Sequence, residues 1–234
     1  MTNLHRTLQD LYAGQDGQTE IIVDGFRVDV VRDGVIYEIQ TGRFRALRDK
    51  VDSLSQRWPV VIVHPVAAEK LLVKVDTETG EVLSERRSPK RGGPLNVFLE
   101  LPSIAPLLAR ENVSLEVLLC RQRELRDAQG RPHRWRRRVG VKMLDRQLLE
   151  IIERRVVAEP AQLLDLLPAE LPDPFTVPDL REVLRVNVDL ARKVAYGLAK
   201  AGVTEAVGRR GRAVLYQLGD APSQGEVAED CAPP

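Results

Sequence analysis

Hydrophobic and polar positions alternate through residues 22–41, and the dipeptide Asp33-Gly34 interrupts this alternation near its middle. Asp-Gly between two β-rich runs is typical of a two-residue type I′ turn, so the stretch is predicted to form a β-hairpin. The turn sets the register, which places Asp29 directly opposite Glu38 and Arg27 opposite Gln40. The other face is predicted to be the core side because it is apolar, with Phe26, Val28, Val30, Tyr37 and Ile39.

The opposed carboxylates of Asp29 and Glu38 are a candidate metal site. Like charges directly opposite each other on a sheet repel, at a cost of roughly 0.2–1 kcal/mol. A divalent cation between the two side chains would turn this repulsion into a ligand set. An amphipathic hairpin can also carry a solvated carboxylate pair, so the residues around the pair have to distinguish the two interpretations.

The elements around the hairpin follow from periodicity and chain breakers. A helix over residues 2–13 has apolar residues at helical spacing, and a strand begins at Glu20. A second helix is predicted over residues 43–57, followed by an apolar strand over residues 60–63 that ends at His64-Pro65. Later segments predict a second hairpin, a helical stretch and a further strand over residues 71–85, 97–108 and 115–121.

The order of helix, three strands, helix and strand, with its acidic residues, resembles the PD-(D/E)XK nuclease superfamily over roughly residues 1–75. The resemblance implies an α/β fold with a restriction-endonuclease-like αβββαβ core and a mixed sheet. It also implies that Asp29 and Glu38 bind Mg²⁺ or Mn²⁺, with the Ile39 carbonyl as a further ligand. Glu20 is the candidate for an additional upstream acid.

One position departs from the superfamily signature, in which a lysine follows the glutamate by two residues. Gln40 occupies that position, and a neutral amide cannot supply the positive charge of the lysine. Lys50 or Arg43, on the following helix, could reach back to replace it. The predicted catalytic residues are therefore Glu20, Asp29, Glu38, Gln40 and Lys50. His5, on the first helix, is assigned no role.

The C-terminal part of the chain predicts a second kind of unit. A helix over residues 142–155 is expected to connect the halves, because apolar residues recur along it at helical spacing. Residues 160–218 then predict three short helices and two strands, with Thr176 and Asn187 as helix caps. This order resembles the winged helix-turn-helix family. The resemblance implies that one set of residues faces DNA: Asn187, Arg192 and Lys193 on the third helix, and Arg209, Arg210 and Arg212 in the wing.

Charge is segregated along the chain even though the formal net charge of the 234 residues is only +1. Segregated basic segments favour a polyanionic partner. The loop after the second hairpin either contacts phosphates or is simply solvated, through Arg86, Arg87, Lys90 and Arg91. The most basic segment spans residues 131–138, and its arginines are predicted to contact nucleic acid: Arg134, Arg136, Arg137 and Arg138. Trp135 either stacks on an unpaired base or packs, within a basic strand or linker, into the interface with the next helix.

Composition sets outer limits. An apolar content of 43% and a charged content of 29% describe an ordinary globular protein. The sequence has neither a long apolar run nor a signal-peptide segment, so a cytoplasmic protein without membrane contact is expected. The two cysteines form no metal-binding pattern.

Four regions and two function classes follow. The regions are a nuclease-like domain (residues 1–130), a basic segment with a connecting helix (131–159), a winged helix (160–218) and a disordered acidic tail (219–234). The preferred function is that of a Mg²⁺- or Mn²⁺-dependent nuclease that acts on DNA, with homodimerisation as a further possibility. The alternative is a regulatory or architectural DNA-binding protein that has kept the fold and lost the chemistry together with the signature lysine.

Overall fold

A mixed sheet of seven strands forms the centre of the computed structural model, which describes residues 2–128 and 142–219. The strands are β1 (Gln18–Val23), β2 (Phe26–Arg32), β3 (Val35–Ile39), β4 (Val60–Val75), β5 (Val82–Arg87), β6 (Val113–Asp127) and β7 (Met143–Val157). Their order is β1-β2-β3-β4-β6-β7, and β5 pairs with β4. The β3–β4 and β4–β6 pairs are parallel and the others are antiparallel.

Helices and 3-10 turns cover both faces of this sheet. The helices are α1 (Asn3–Ala13), α2 (Arg48–Leu54), α3 (Val177–Val183) and α4 (Val188–Lys200), and a separate two-stranded sheet holds β8 (Thr204–Arg210) and β9 (Ala213–Leu218). From α1 to β4 the order of elements is helix, three strands, helix and strand, as predicted. Within the described residues, no helix has the length and apolar character needed to cross a membrane.

The central hairpin is confirmed. Asp33 and Gly34 both have positive φ, at 51° and 75°, as a type I′ turn requires. The strands pair in the predicted register, from Arg32 with Val35 to Val30 with Tyr37.

The prediction of one core side for this hairpin is wrong, because both of its faces are covered. Val28 belongs to the larger hydrophobic cluster, together with Ile36. Val30 and Ile39 belong to a smaller cluster beneath α1. The alternation of β2 therefore changes between Val28 and Val30, at Asp29.

Helix α1 forms from an apolar stripe and defined ends. Leu4, Leu8 and Tyr12 lie on one face and pack against Val30, Ile39, Val63 and Leu118 of the sheet. Thr2 caps the first turn, and Gly14, with φ of 60°, ends the helix. The helix thereby holds its polar residues at fixed positions over β2.

Strand β4 does not end at His64-Pro65, as the sequence predicted, but continues to Val75. The Val63 carbonyl accepts a hydrogen bond from Gln40 N, so the alternate residue Pro65 also faces the β3 side. The β3–β4 ladder ends at Val63, which means that the missing N–H of Pro65 leaves no ladder bond unmade. The helical stretch predicted over residues 97–108, with breaks at Pro102 and Pro106, is broken as expected, but its pieces are 3-10 turns: Pro94–Leu99, Leu101–Ser103 and Ala105–Ala109.

The helix predicted over residues 142–155 is also wrong, since Met143–Val157 is strand β7 of the main sheet. Its pairing with β6 skips three apolar residues, at bulges: Leu144, Leu149 and Ile152. Each bulge inserts one unpaired residue into β7. Apolar residues that would recur every two positions therefore recur at three or four positions in places, which is the spacing of a helix. β7 therefore belongs with the first region, not with a connecting segment. The predicted boundary at residue 130, the basic segment 131–138 and nearly all of the tail lie outside the described residues.

The elements predicted between residues 160 and 218 are confirmed. Pro160–Leu166 forms a 3-10 turn, and α3, α4, β8 and β9 follow in the predicted order. Thr176 and Asp179 form a capping box, and the Asn187 side chain accepts a hydrogen bond from Leu190 N. The buried face of α4 packs on the 3-10 turns at Phe98 and Leu101, so this unit shares one hydrophobic cluster with the main sheet.

Substitution of Gly197 tests this shared core. A Cβ at Gly197 would lie 3.0 Å from Phe98 Cδ1, so Gly197→Leu should lower the free energy of unfolding by about 1–3 kcal/mol. Helix propensity alone predicts the opposite sign, because leucine favours helix over glycine. Urea denaturation followed by circular dichroism measures the difference. Lys193→Leu, at an exposed position of α4, is the control, and equal stability of Gly197→Leu and wild type would contradict the packing.

Candidate metal and catalytic site

Six polar side chains from five elements meet at one end of β2 and β3. They are His5 and Gln9 (α1), Glu20 (β1), Asp29 (β2), Glu38 (β3) and Lys50 (α2). A cleft of about 480 Å³ opens over them, lined by Thr2, His5, Glu20, Arg27, Asp29 and Thr41. Four of the five predicted catalytic residues are therefore brought together.

Asp29 is the centre of this cluster. Its Oδ2 accepts a hydrogen bond of 2.8 Å from Ile39 N, and its own N–H points to Glu38 Oε1 at 3.4 Å. Side-chain oxygens thus replace carbonyls where the β2–β3 ladder ends, which is why the strand alternation changes here. Asp29 Oδ1 faces the opposite way, 3.2 Å from His5 Nε2 and 3.5 Å from Gln9 Nε2.

Glu20 reaches the cluster through a strained backbone. Its φ of 57° lies in the left-handed region, which a non-glycine residue rarely adopts within a strand. The Glu20 carboxylate accepts a hydrogen bond of 2.7 Å from Gln9 Nε2 and forms an ion pair with Arg27. Gln9 is only 4% exposed, so its amide is fixed between the Glu20 and Asp29 carboxylates.

Glu38 and Lys50 form a buried ion pair. Glu38 is 1% exposed, and Lys50 Nζ lies 2.6 Å from its Oε1. Burial raises the pKa of Glu38 to about 7, although hydrogen bonding and charge from Lys50 oppose this rise. Lys50 Nζ also donates to the Arg27 carbonyl, which fixes its side chain between two strands.

Gln40 has a local role. Its Oε1 accepts a hydrogen bond of 3.1 Å from Gly42 N, so its side chain shapes the turn after β3. The Gln40 N–H donates to Val63 O at 2.9 Å, and the Gln40 carbonyl oxygen lies 2.7 Å from His64 Nδ1. Of the two cations suggested as replacements for the signature lysine, Lys50 contacts the cluster. Arg43 is exposed and forms no ion pair with any described carboxylate.

His5 and Gln9 are the residues that sequence reasoning missed. They lie four positions apart on α1, so both project from one side of the helix toward β2. The available signal was this pair of polar residues at helical spacing beside the buried Leu4 and Leu8. The sequence alone does not show that His5 contacts Asp29, because only the tertiary structure shows which strand lies against α1.

The donor set suits a divalent cation. One ligand atom each from His5, Glu20 and Asp29 lies within 4.8 Å of the others, and carboxylate oxygens with an imidazole nitrogen are common metal donors. Glu38 is not in this group, since its Oε1 faces Lys50. Ile39 contacts Asp29 through its amide, whereas the sequence analysis assigned a role to its carbonyl.

The predicted DNA-contacting residues occupy exposed positions in the C-terminal unit, in β5 and after β5, where Arg86 and Arg87 belong to the strand and not to the predicted loop. Arg192, Lys193, Arg209 and Arg212 are exposed, while Arg192 lies 3.5 Å from Asp189 and Arg210 lies 3.0 Å from Asp179. Arg86, Arg87 and Lys90 are exposed, and Arg91 pairs with Glu69 at 2.5 Å. Asn187 is used as the helix cap. Residues 134–138 lie outside the described part of the chain.

Comparison with known proteins adds two matches. The family model DUF8091, described as a domain of unknown function, matches residues 2–158. An uncharacterized protein of Treponema pallidum (strain Nichols) is 28% identical over 219 residues, which cover 92% of this chain and 84% of the relative. No solved structure is significantly similar to this chain.

The raised pKa of Glu38 predicts a specific pH dependence of stability. A carboxyl whose pKa is about 7 when folded binds its proton more tightly in the folded state than in the unfolded state. Its contribution to stability is therefore present at low pH and declines as the pH rises from about 4.5 to about 7. Glu38→Gln should remove this decline.

Urea unfolding in EDTA between pH 5 and 8.5 measures the effect. Relative to wild type, Glu38→Gln should become progressively more stable as the pH rises. Glu205→Gln, which removes an exposed carboxyl, is the control. Parallel stability curves for wild type and Glu38→Gln would contradict the assignment.

Proposed function

This chain belongs to the DUF8091 family, and we propose that it is a metal-dependent nuclease that hydrolyses phosphodiester bonds in DNA. The observation that carries the proposal is the convergence of three carboxylates, a histidine and a lysine in one cluster, of which His5, Glu20 and Asp29 line the cleft. The order of elements from α1 to β4, which resembles that of the PD-(D/E)XK nucleases, supports it further.

The cluster is unfavourable for folding alone, which argues for a chemical use. Glu38 is buried although burial raises its pKa, and the charge on Asp29 raises it further. Glu20 holds a left-handed backbone that costs on the order of 1–3 kcal/mol. If the cluster had only a structural role, apolar side chains of similar volume in these positions would give a more stable fold.

Three residues would hold the cation, namely His5, Glu20 and Asp29, with Glu38 adjacent to them. When bound, the cation would lower the pKa of a coordinated water and stabilise charge on the phosphoryl oxygens. Gln9 orients the carboxylates of Glu20 and Asp29, and Ile39 N fixes the second oxygen of Asp29. These contacts keep the ligand atoms in place, which reduces the reorganisation that binding requires.

Lys50 is proposed to supply the positive charge that Gln40 lacks. Its ammonium lies 2.6 Å from Glu38 Oε1, and the same oxygen is approached by the N–H of Asp29. A charge fixed next to the reacting phosphate stabilises the transition state without further rearrangement. Gln40, whose side chain serves the following turn, is then not required for the chemistry.

The C-terminal unit is proposed to bind DNA. Its helix–helix–hairpin order resembles the winged helix, and its exposed surface carries bases on α4, at the end of β8 and in the β8–β9 turn. Arg210 is held by Asp179 on α3, so Arg209 and Arg212 are the better candidates for phosphate contacts. A non-catalytic DNA-binding protein is the alternative function, and Gln40 is the residue that favours it.

Asp29→Asn tests the proposed function. Wild type should cleave single-stranded, duplex or branched DNA with Mg²⁺ or Mn²⁺ and not with EDTA, whereas Asp29→Asn should lose cleavage. Isothermal titration calorimetry with Mn²⁺ should show that metal binding is lost as well. Asp10→Asn, an exposed change on α1, is the control. DNA binding without any metal-dependent cleavage by wild type would favour the alternative.

Lys50→Ala tests the relocated charge. Loss of one electrostatic contact to the transition state should lower kcat by about 10²–10³. Lys74→Ala, which removes an exposed lysine from β4, should keep wild-type activity. Gln40→Lys should leave activity present or raised. Full activity of Lys50→Ala would remove Lys50 from the mechanism but would leave the carboxylates as candidates.

A further inference from the structure

We propose that residues 41–50, which we name the arginine segment, bind the DNA backbone phosphates next to the cleaved bond. This inference rests on the proposed nuclease function and assigns Arg43, Arg45 and Arg48 to the substrate. These side chains act as positioning groups, since they would hold the strand while the carboxylate cluster acts on it.

Both ends of the arginine segment lie at the site. Thr41, at its beginning, lines the cleft with Asp29 and Glu20. Lys50, at its end, contacts Glu38 in the same cluster. The arginine segment therefore begins and ends at the cluster, and Arg43 follows Thr41 by only two residues, within about 7 Å of chain.

Hydrogen bonds and the buried Phe44 side chain hold the arginine segment in place. The Gln40 side chain binds Gly42 N at its start, and Phe44 is fully buried with its ring edge-to-face on His64, at a centroid distance of 4.8 Å. Leu47 N donates to Phe44 O at 2.8 Å and leads into α2. Burial of Phe44 leaves its neighbours Arg43 and Arg45 directed outward.

The three arginines are available for a ligand. Arg43, Arg45 and Arg48 are exposed, and in the part of the chain that the structure describes none of them forms an ion pair. Other arginines near these elements are engaged, for example Arg57 with Asp24 and Arg110 with Asp52. A guanidinium without a carboxylate partner retains all its donors for a phosphate.

The charge of the arginine segment is opposite to that of the cleft. The carboxylates of Glu20 and Asp29 line the cleft with the single guanidinium of Arg27, so the cleft keeps an excess of negative charge that would repel a phosphodiester backbone. The arginine segment carries three arginines and Lys50 against Asp49, a net charge of +3. A basic border beside an acidic cleft offsets the repulsion and directs the backbone across the cluster.

Salt-dependent DNA binding tests the proposal. Fluorescence anisotropy of the full chain with labelled duplex DNA in EDTA measures affinity without metal-dependent cleavage. Replacing Arg43, Arg45 and Arg48 by alanine should weaken binding and reduce the slope of log affinity against log salt by about 2.7, or 0.9 per contact. The matched lysine triple variant keeps the charge and should keep most of the slope. An unchanged slope in the alanine variant overturns the proposal.

The position of the contact is tested with neutral phosphates. Once the cleaved bond is mapped, methylphosphonates are introduced at the adjacent phosphates, and binding is compared across variants. Wild type should lose affinity at these positions and the alanine triple variant should lose little more, since the contact is already absent. Arg209→Ala with Arg212→Ala, at the end of β8 and in the β8–β9 turn, is the control and should show additive losses. Additivity in the arginine-segment variant would overturn the placement.

The two proposals fail in different ways. Wild-type protein that cuts no DNA with Mg²⁺ or Mn²⁺ refutes the nuclease, and the arginine segment then has no cleaved bond to flank. Cleavage by wild type, combined with unchanged binding by the alanine variant, refutes the arginine segment alone. Circular dichroism and the melting temperature of each variant show whether the fold is intact.

Discussion

The hydrogen bond from Ile39 N to Asp29 Oδ2 is the contact on which the site depends. Up to Val30 and Tyr37 the hairpin is an ordinary ladder, and beyond them a carboxylate oxygen accepts the bond that a carbonyl would have taken. The strands can therefore separate without leaving the Ile39 amide unsatisfied. The space between them admits Gln9 and His5 from α1 on one side and Lys50 from α2 on the other.

This opening explains how a buried carboxylate is tolerated. Glu38 would be unstable as an isolated ion, but Lys50 and the Asp29 N–H both approach its Oε1. Its pKa of about 7 shows that these contacts offset only part of the desolvation. A nearby cation would favour the charged form further, so the ionisation of Glu38 and metal binding should be coupled.

Local signals predicted those parts of the fold that local chemistry determines. Asp33-Gly34 fixed the hairpin register, and Thr176 and Asn187 marked two helix starts, because turns and caps depend on a few adjacent residues. Strand β7 could not be predicted in this way, since its bulges make apolar spacing look helical. The sequence predicted that Asp29, Glu38 and Lys50 would come together, but it did not predict that His5 would join them, because that depends on how α1 crosses β2.

The proposed role of Lys50 would link the chemistry of the site to the packing of α2. Lys50 is positioned by a short helix that Val51 and Leu54 anchor in the core. Phe44 anchors the chain just before that helix, and the exposed arginines lie between these anchors. One packed segment therefore sets the position both of the charge beside Glu38 and of the basic border of the cleft. A change of volume at Val51 or Phe44 would move both together, so under the proposed function such core residues should affect cleavage without touching the substrate.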